Sequence, residues 1–395
     1  MKRIICLAFL FIVFIPAALV AADFGAVISG QFRTEVAGET DISGKATLAP
    51  WLSVPAGEAD FNLSFGVFAG YEERFSVIPD LFRLEFSFKP LAPLSIRAGR
   101  FSWQDPSRFV AKGNFDGLDL LLDLGKVRLG AAVLYTGFLY QGSTDINISP
   151  SDTAKSDVVF DWVDFANTYF APRRLLTALY GDFPGFPFQR GSLCLGFMAQ
   201  FDLTDAAEAF HTQYIIMRYT FVYKSFDLFS SGAVEFENTL AEGLKAAYAF
   251  TIETGWQTGF RLKDRLSTGL RWSSGEGPYA AAFFPLFREA QGMVLKPSFS
   301  GIMTLWAQYK VRVMDTVSMD LTERYFFRTD STSFADPDLN DTGYALGLEF
   351  GGSMLWVPFS DLSFSLAGGF FFPQAGNAMD GPVRWSLTLG TILSF

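Results

Sequence analysis

Hydrophobic and polar residues alternate along most of this chain. Phe82, Leu84, Phe86 and Phe88 interleave with Arg83, Glu85, Ser87 and Lys89. Phe61, Leu63, Phe65 and Val67 interleave with Asn62, Ser64 and Gly66. Leu193, Leu195, Phe197 and Ala199 oppose Cys194, Gly196, Met198 and Gln200. Leu244, Ala246, Tyr248, Phe250 and Ile252 oppose Lys245, Thr251 and Glu253, and Phe299, Met303, Leu305 and Tyr309 oppose Ser298, Ser300, Thr304, Gln308 and Lys310. Stretches 344–351 and 362–366 repeat the pattern. So does the chain's last dozen residues: Trp385, Leu387, Leu389, Leu393 and Phe395 share one parity and Arg384, Ser386, Thr388, Gly390 and Ser394 the other, with Thr391 and Ile392 out of step. A period of two is a strand with one greasy and one polar face. One such strand is ordinary in a half-buried sheet; a chain full of them needs a solvent for its greasy faces.

The connectors between these strands come in two kinds. Pro90–Pro93, Leu124–Lys126, Lys224-Ser225, Gln257-Thr258, Arg312–Met314 and Pro358–Ser360 are tight, whereas 103–114, 137–174, 203–210, 274–296, 329–342 and 374–382 are long and polar. The two kinds mostly alternate, as the short inner turns and long outer loops of a membrane barrel do. Composition decides between soluble and membrane readings. Aromatic residues make up 17% of the chain and Phe alone numbers 45, while charged residues are only 18%, below the usual share of about 25%. Yet after residue 22 no apolar run approaches the ~20 residues of a membrane helix. The pattern therefore predicts an all-β fold: a single transmembrane antiparallel up-and-down β-barrel of about 18 strands, or 16 if the weaker segments 26–36, 44–53 and 175–201 pair differently.

The start of the chain predicts export. Met1-Lys2-Arg3 is a basic opening, Ile4–Val20 is almost wholly apolar, and Val20-Ala21-Ala22 supplies small residues. This is the layout of a secretory signal peptide over residues 1–22, with residues 23–395 forming the barrel. Its removal takes two basic residues and no acid, leaving 29 basic against 41 acidic residues and a net charge of −12. Such acidity excludes a general nucleic-acid binder. Only Cys194 remains, so no internal disulfide staples the exported chain.

Parity then assigns the inside. Arg33, Arg83, Lys89, Arg97, Arg128, Arg218, Lys245, Lys310, Arg312, Arg324 and Arg384 face inward, with Glu35, Glu85, Asp119, Asp123, Glu235, Glu253, Asp320 and Glu349. The densest run is Arg261, Lys263, Arg265 and Arg271, a basic ladder opposite Leu262, Leu266, Leu270 and Trp272. A barrel of this size can hold an aqueous channel, and rows of fixed charge tune which solutes pass. The expectation is a passive pore for small hydrophilic, anionic solutes, with the charges alternatively serving only as wall-stiffening ion pairs. Asp264 breaks parity toward lipid, which is tolerable near an interface.

Two resemblances extend this reading. An exported chain whose last strand alternates, carries Trp385 and ends in Phe395 resembles bacterial outer-membrane barrel proteins, which implies recognition by the barrel-insertion machinery and residence among outer-membrane lipid. The stretch Arg97-Ala98-Gly99-Arg100-Phe101, a polar loop, then Gly113-Asn114-Phe115-Asp116-Gly117 resembles outer-membrane porins of the alginate-export type. That resemblance implies an 18-stranded barrel with an arginine-lined path to which Arg97 and Arg100 contribute; a monomer or a homotrimer is a further expectation.

Other chemistry is thin. The long loop 137–174 holds Asp145, Asp152, Asp157, Asp161 and Asp164, then Phe160, Trp162, Phe165, Tyr169 and Phe170, and reads as a packed cap on the outer rim or a constriction in the mouth. Asp336, Asp338 and Asp341 could hold a hard cation but read as solvated. His211 is the only histidine and no serine pattern points at it. Ser43-Gly44-Lys45-Ala46 lacks the rest of a phosphate loop. Neither an enzyme nor a cofactor or metal is expected. The rival readings are a structural or adhesive barrel acting through its loops and a transporter of hydrophobic compounds.

Overall fold

The computed structural model describes residues 22–395, apart from 38, 73, 145, 147, 150, 151, 153, 154, 156, 157, 205–208, 240–242, 260, 261, 278, 279, 288, 331–338, 340–342, 379 and 380. The expected signal peptide, save its last residue, lies outside these, as do Arg261, Asp145, Asp157 and the acidic trio Asp336, Asp338 and Asp341.

Eighteen strands close on themselves. In chain order they are β1 (Asp23–Ala37), β2 (Glu39–Ala56), β3 (Ala59–Glu72), β4 (Arg74–Leu91), β5 (Leu94–Gln104), β6 (Lys112–Asp123), β7 (Arg128–Tyr135), β8 (Arg174–Pro184) and β9 (Gly191–Asp202). The second half comprises β10 (His211–Tyr223), β11 (Phe226–Thr239), β12 (Gly243–Gln257), β13 (Lys263–Ser273), β14 (Ile302–Met314), β15 (Val317–Arg328), β16 (Ala345–Phe359), β17 (Leu362–Phe372) and β18 (Arg384–Ser394). Each pairs antiparallel with its sequence neighbours, and β1 pairs with β18 from Val27↔Ser394 to Val36↔Trp385. Closure leaves no edge, which a strand crossing lipid cannot tolerate. At the seam Ala26 N–H donates to the Phe395 carbonyl at 2.8 Å and Phe395 N–H donates back to Ala26 at 3.0 Å, so the terminal aromatic is the last rung of the ladder. The soft segments 26–36, 44–53 and 175–201 all form strands, and the count is 18.

The outward parity is the greasy one. Ile28, Leu48, Val133, Leu179, Phe197, Ile215, Phe250, Leu266, Leu305, Leu321 and Leu389 are exposed on it, the belt of a membrane-spanning barrel. Phe24, Tyr223, Phe226, Trp256, Phe359 and Phe395 gather where the tight turns lie, as an aromatic girdle at the inner end. Asp264 does point outward, but it sits second in β13 and accepts from the Tyr309 hydroxyl at 3.0 Å and from Thr258.

Two alternation assignments need correction. Phe82 is not lipid-facing: the β3–β4 register slips between Ser64 and Phe65, and the bulge turns Phe82 inward against Phe68, ring centroids 5.2 Å apart. Gly66 makes room for it, since a Cβ there would strike the Phe82 ring. Phe299 is not in a strand at all; it is buried inside the barrel.

Candidate functional site in the barrel lumen

The long connectors fold inward. On β7 to β12, just inside a polar edge of Arg174, Gln200, Asp202, Thr212 and Glu237, the inward positions of the outer half are largely apolar: Ala132, Leu134, Leu176, Ala178, Met198, Tyr214, Ile216, Ala233, Ala247 and Ala249. Against this inner wall pack Phe109 and Val110 from the 105–111 connector and Phe283, Leu286 and Phe299 from the 274–301 connector. Phe109, Phe283 and Phe299 meet edge to face at 5.2–6.0 Å. The outer half of the lumen is thus a hydrophobic core of its own, which the loops enter because burying aromatic surface there is favourable.

Buried wall acids hold the 274–301 connector by its backbone. Glu235 on β11 accepts from Phe284 N–H at 2.8 Å, and Tyr214 on β10 donates to the Phe284 carbonyl at 2.7 Å. Glu349 on β16 accepts from the amides of Met293, Val294 and Leu295, each at 2.9 Å, and from Arg324 at 3.2 Å. Lys296 then reaches Glu35 on β1 at 2.6 Å, while Ser386 donates to the Met293 carbonyl. β11 and β1 stand eight strands apart in a ring of eighteen, so the segment spans nearly a diameter. Carboxylates that accept backbone amides satisfy loop groups that no secondary structure would. In the 105–111 connector Asp105 plays this part internally, accepting from Ser107, Arg108, Val110 and Ala111. Burial nonetheless pushes its carboxyl above the usual range, against the pull of those donors.

The loop 136–173 packs on itself at the rim and also reaches inward. Tyr140, Phe160, Phe165, Tyr169 and Phe170 form one aromatic cluster at the rim. Ile148 joins the lumen core, and Asp152 meets fully buried Arg174 on β8 at 2.5 Å, which also pairs with Asp202 at 3.1 Å.

Parity places the expected charges on the lumen, and most are neutralised. Arg83 pairs with Glu85 (2.9 Å), Arg97 with Asp119 (2.9 Å), Arg128 with Asp123 (3.2 Å) and Arg218 with Asp182 (3.8 Å). Arg265 lies between Asp227 (2.5 Å) and Glu253 (2.9 Å), and Lys310 is 3.6 Å from Asp320. Arg271 donates to Gln291 at 2.9 Å and sits 3.6 Å from Glu289, so it helps hold the crossing segment. Glu349 does not face the path either, being spent on the amides above. Lys263 has no ion pair among the described residues.

Arg100 requires a correction. It lies three residues from Arg97, so a period of two puts it on the opposite face. It is 4% exposed and sits in the wall where β4 leaves β5, donating to Asp116 (2.8 Å) and to the Leu81 and Phe138 carbonyls. Gly99, at φ 103°, allows the close approach to the Leu84 carbonyl that a Cβ would forbid.

Two cavities flank the loop-filled centre. The inner one, about 810 Å³, is lined by Lys263, Arg265, Lys310 and Arg312 against Asp264 and Asp320. These cations face one another across a strand pair, Lys263↔Arg312 and Arg265↔Lys310. The outer one, about 830 Å³, lies between β1–β4 and the long loop; Arg33, Lys45, Phe68, Tyr140, Phe160 and Trp162 line it, with no carboxylate among the described lining residues, and Arg33 is paired with Glu35. Lys45, 3.8 Å over the Phe68 ring, was missed by sequence reasoning, although it shares its parity with Ser43, the partner of Arg33. The weak alternation of β2 hid it.

No family model and no curated protein matches this chain. Solved structures do. OccK8 (OprE) of Pseudomonas aeruginosa shares 10% identity over 95% of this chain and 98% of its own, with a TM-score of 0.61. OccK5 (OpdH) gives 10%, 95%, 99% and 0.60, and the outer membrane protein OprD of the same organism 12%, 95%, 94% and 0.58. The resemblance to alginate-export-type porins finds no support among these likenesses. At such identities the agreement is one of architecture: over nearly its whole length this chain has the barrel fold of the OprD and Occ outer-membrane proteins.

Proposed function

We propose that this protein is a passive outer-membrane channel for small hydrophilic solutes, with a preference for anions. The membrane assignment is supported by the apolar outward belt, the aromatic girdle and the closed sheet. The channel assignment is supported by the shared fold and by charged cavities on both sides of a loop-made narrowing. The anion preference rests on one observation: each cavity is lined by a lysine without an ion pair among the described residues, Lys263 in the inner one and Lys45 in the outer, beside cations already paired with acids. An excess of fixed positive charge raises local anion concentration within a Debye length of the wall. Signal-peptide removal before Asp23 and recognition of the Trp385–Phe395 strand by the insertion machinery belong to the same proposal.

Single-channel recording of the refolded chain in a planar bilayer under a salt gradient tests it. The expected reversal potential has the sign of anion selectivity. Joint replacement of Lys45, Lys263, Lys310 and Arg312 by Ala should move it toward cations. A correctly inserted barrel that carries no current, or a wild-type potential of the opposite sign, overturns the reading.

A further inference from the structure

Among the described residues, three side-chain carboxylates occupy outward positions of the strands. Asp116 is held by Arg100 and Asp264 by Tyr309 and Thr258. The third, Glu323, is exposed and makes no hydrogen bond or ion pair among the described residues. It is the seventh of the twelve residues of β15, midway across the span. Outward parity is secured on both sides, by Ala307↔Glu323 and Glu323↔Phe350. An acid here faces hydrocarbon, where an unpaired polar group is costly and usually marks function. No unpaired cation on the outward face of the described strands is available to a neighbouring copy. Around Glu323 the outward positions include small residues: Ala307 lies beside it, and Gly352 and Gly368, paired across β16 and β17, carry no side chain, with Leu321 lying against Gly352 and Leu387 beside Gly368. The large outward Phe350 pairs directly with Glu323.

We infer that Glu323 joins two copies of this chain side by side in the membrane, its carboxyl group hydrogen-bonded to the partner's Glu323 across a two-fold axis along the membrane normal. Both copies insert in the same direction, so any pair symmetry must run along that normal, and it brings one residue against its own copy. A carboxyl group is suited to this meeting, since one O–H donates while the partner's oxygen accepts. The small residues let the walls approach closely, as small residues do at other membrane interfaces. The inference is independent of what passes through the lumen.

The test uses the full-length mature barrel in liposomes. Leu321→Cys places a thiol beside the proposed axis, and Leu179→Cys places one on the far wall; native Cys194 is buried. Oxidation should give a two-copy product from Leu321→Cys and little from Leu179→Cys. In the Leu321→Cys background, Glu323→Leu should lower that product by about tenfold, the worth of roughly one hydrogen bond, while Glu323→Gln should largely keep it because an amide can also pair with itself. Heat-modifiable gel migration verifies that each variant is a folded barrel. Equal cross-linking at both sites, a monomeric or three-copy mass in mild detergent without Leu321→Cys cross-linking, or insensitivity to Glu323→Leu each overturns the pairing.

Discussion

The outer and inner halves of the lumen are built from the same strands, yet they behave as different materials. Toward the outer rim, inward positions carry Ala, Leu, Met, Ile and Phe, and the connectors bury aromatic rings among them. Toward the inner turns the same strands present Arg128, Asp182, Cys194, Arg218, Asp227, Glu253, Arg265 and Lys310. In the outer half a carboxylate is buried and fixes structure: Glu235 and Glu349 serve loop amides, and Asp152 and Asp202 lock the buried Arg174. In the inner half a carboxylate is a counter-charge to a half-exposed cation. The difference teaches that charge in a barrel wall has two uses, and that burial decides which applies. A dry carboxylate fixes geometry; a wet one sets a field.

The contrast predicts unequal consequences. The largest effect is expected at Arg174, whose removal leaves Asp152 and Asp202 buried without a cation. Arg174→Met should cost about 3–5 kcal/mol, read as a lower urea midpoint for unfolding from liposomes. Phe283→Ala, a cavity in the lumen core, should cost a comparable ~3–5 kcal/mol. Next comes Glu349→Ala, which strands three amides at about 1–3 kcal/mol for a group left unsatisfied. Its sharper signature is electrical: freed from β16, the crossing segment should give a larger and noisier single-channel conductance. In the inner half, Lys263→Ala with Lys310→Ala and Arg312→Ala should shift stability by no more than about 1 kcal/mol per pair, yet move the reversal potential toward cations. The smallest effect needs no mutation. Anion preference should shrink between 0.1 M and 1 M salt, as the Debye length falls from about 10 to 3 Å. A stability loss from the inner triple variant as large as that of Arg174→Met would erase the distinction between the halves.

The same contrast explains what could be read from the sequence. The lipid-facing stripe was legible because hydrocarbon demands the same residue class at every second position, from Phe86 to Leu389. The inner face was legible only near the turns. Where Leu176, Ala178, Tyr214 and Ile216 line a loop-filled lumen, both faces are apolar and alternation vanishes, which is why 175–201 read weakly. Phe299 and Phe82 misled for related reasons, one as a loop aromatic in phase with a strand, the other through a bulge. Arg97 has the inward parity and Arg100 the outward one, as their spacing of three already requires. Whether a lumen charge is free or paired depends on partners such as Asp227 for Arg265, 38 residues away, and no local pattern carries that. Lys45 was overlooked because it stood in a segment too polar to declare its faces.

The segment that crosses the lumen has a mechanical meaning as well. A ring of hydrogen-bonded strands resists stretching along its circumference far better than it resists flattening into an oval. A strut pinned at Glu235, Glu349 and Glu35 opposes that softer deformation, since narrowing one axis would compress it and widening would strain its carboxylate moorings. The cross-section is therefore braced against changes in lateral membrane pressure by the same chain that narrows it.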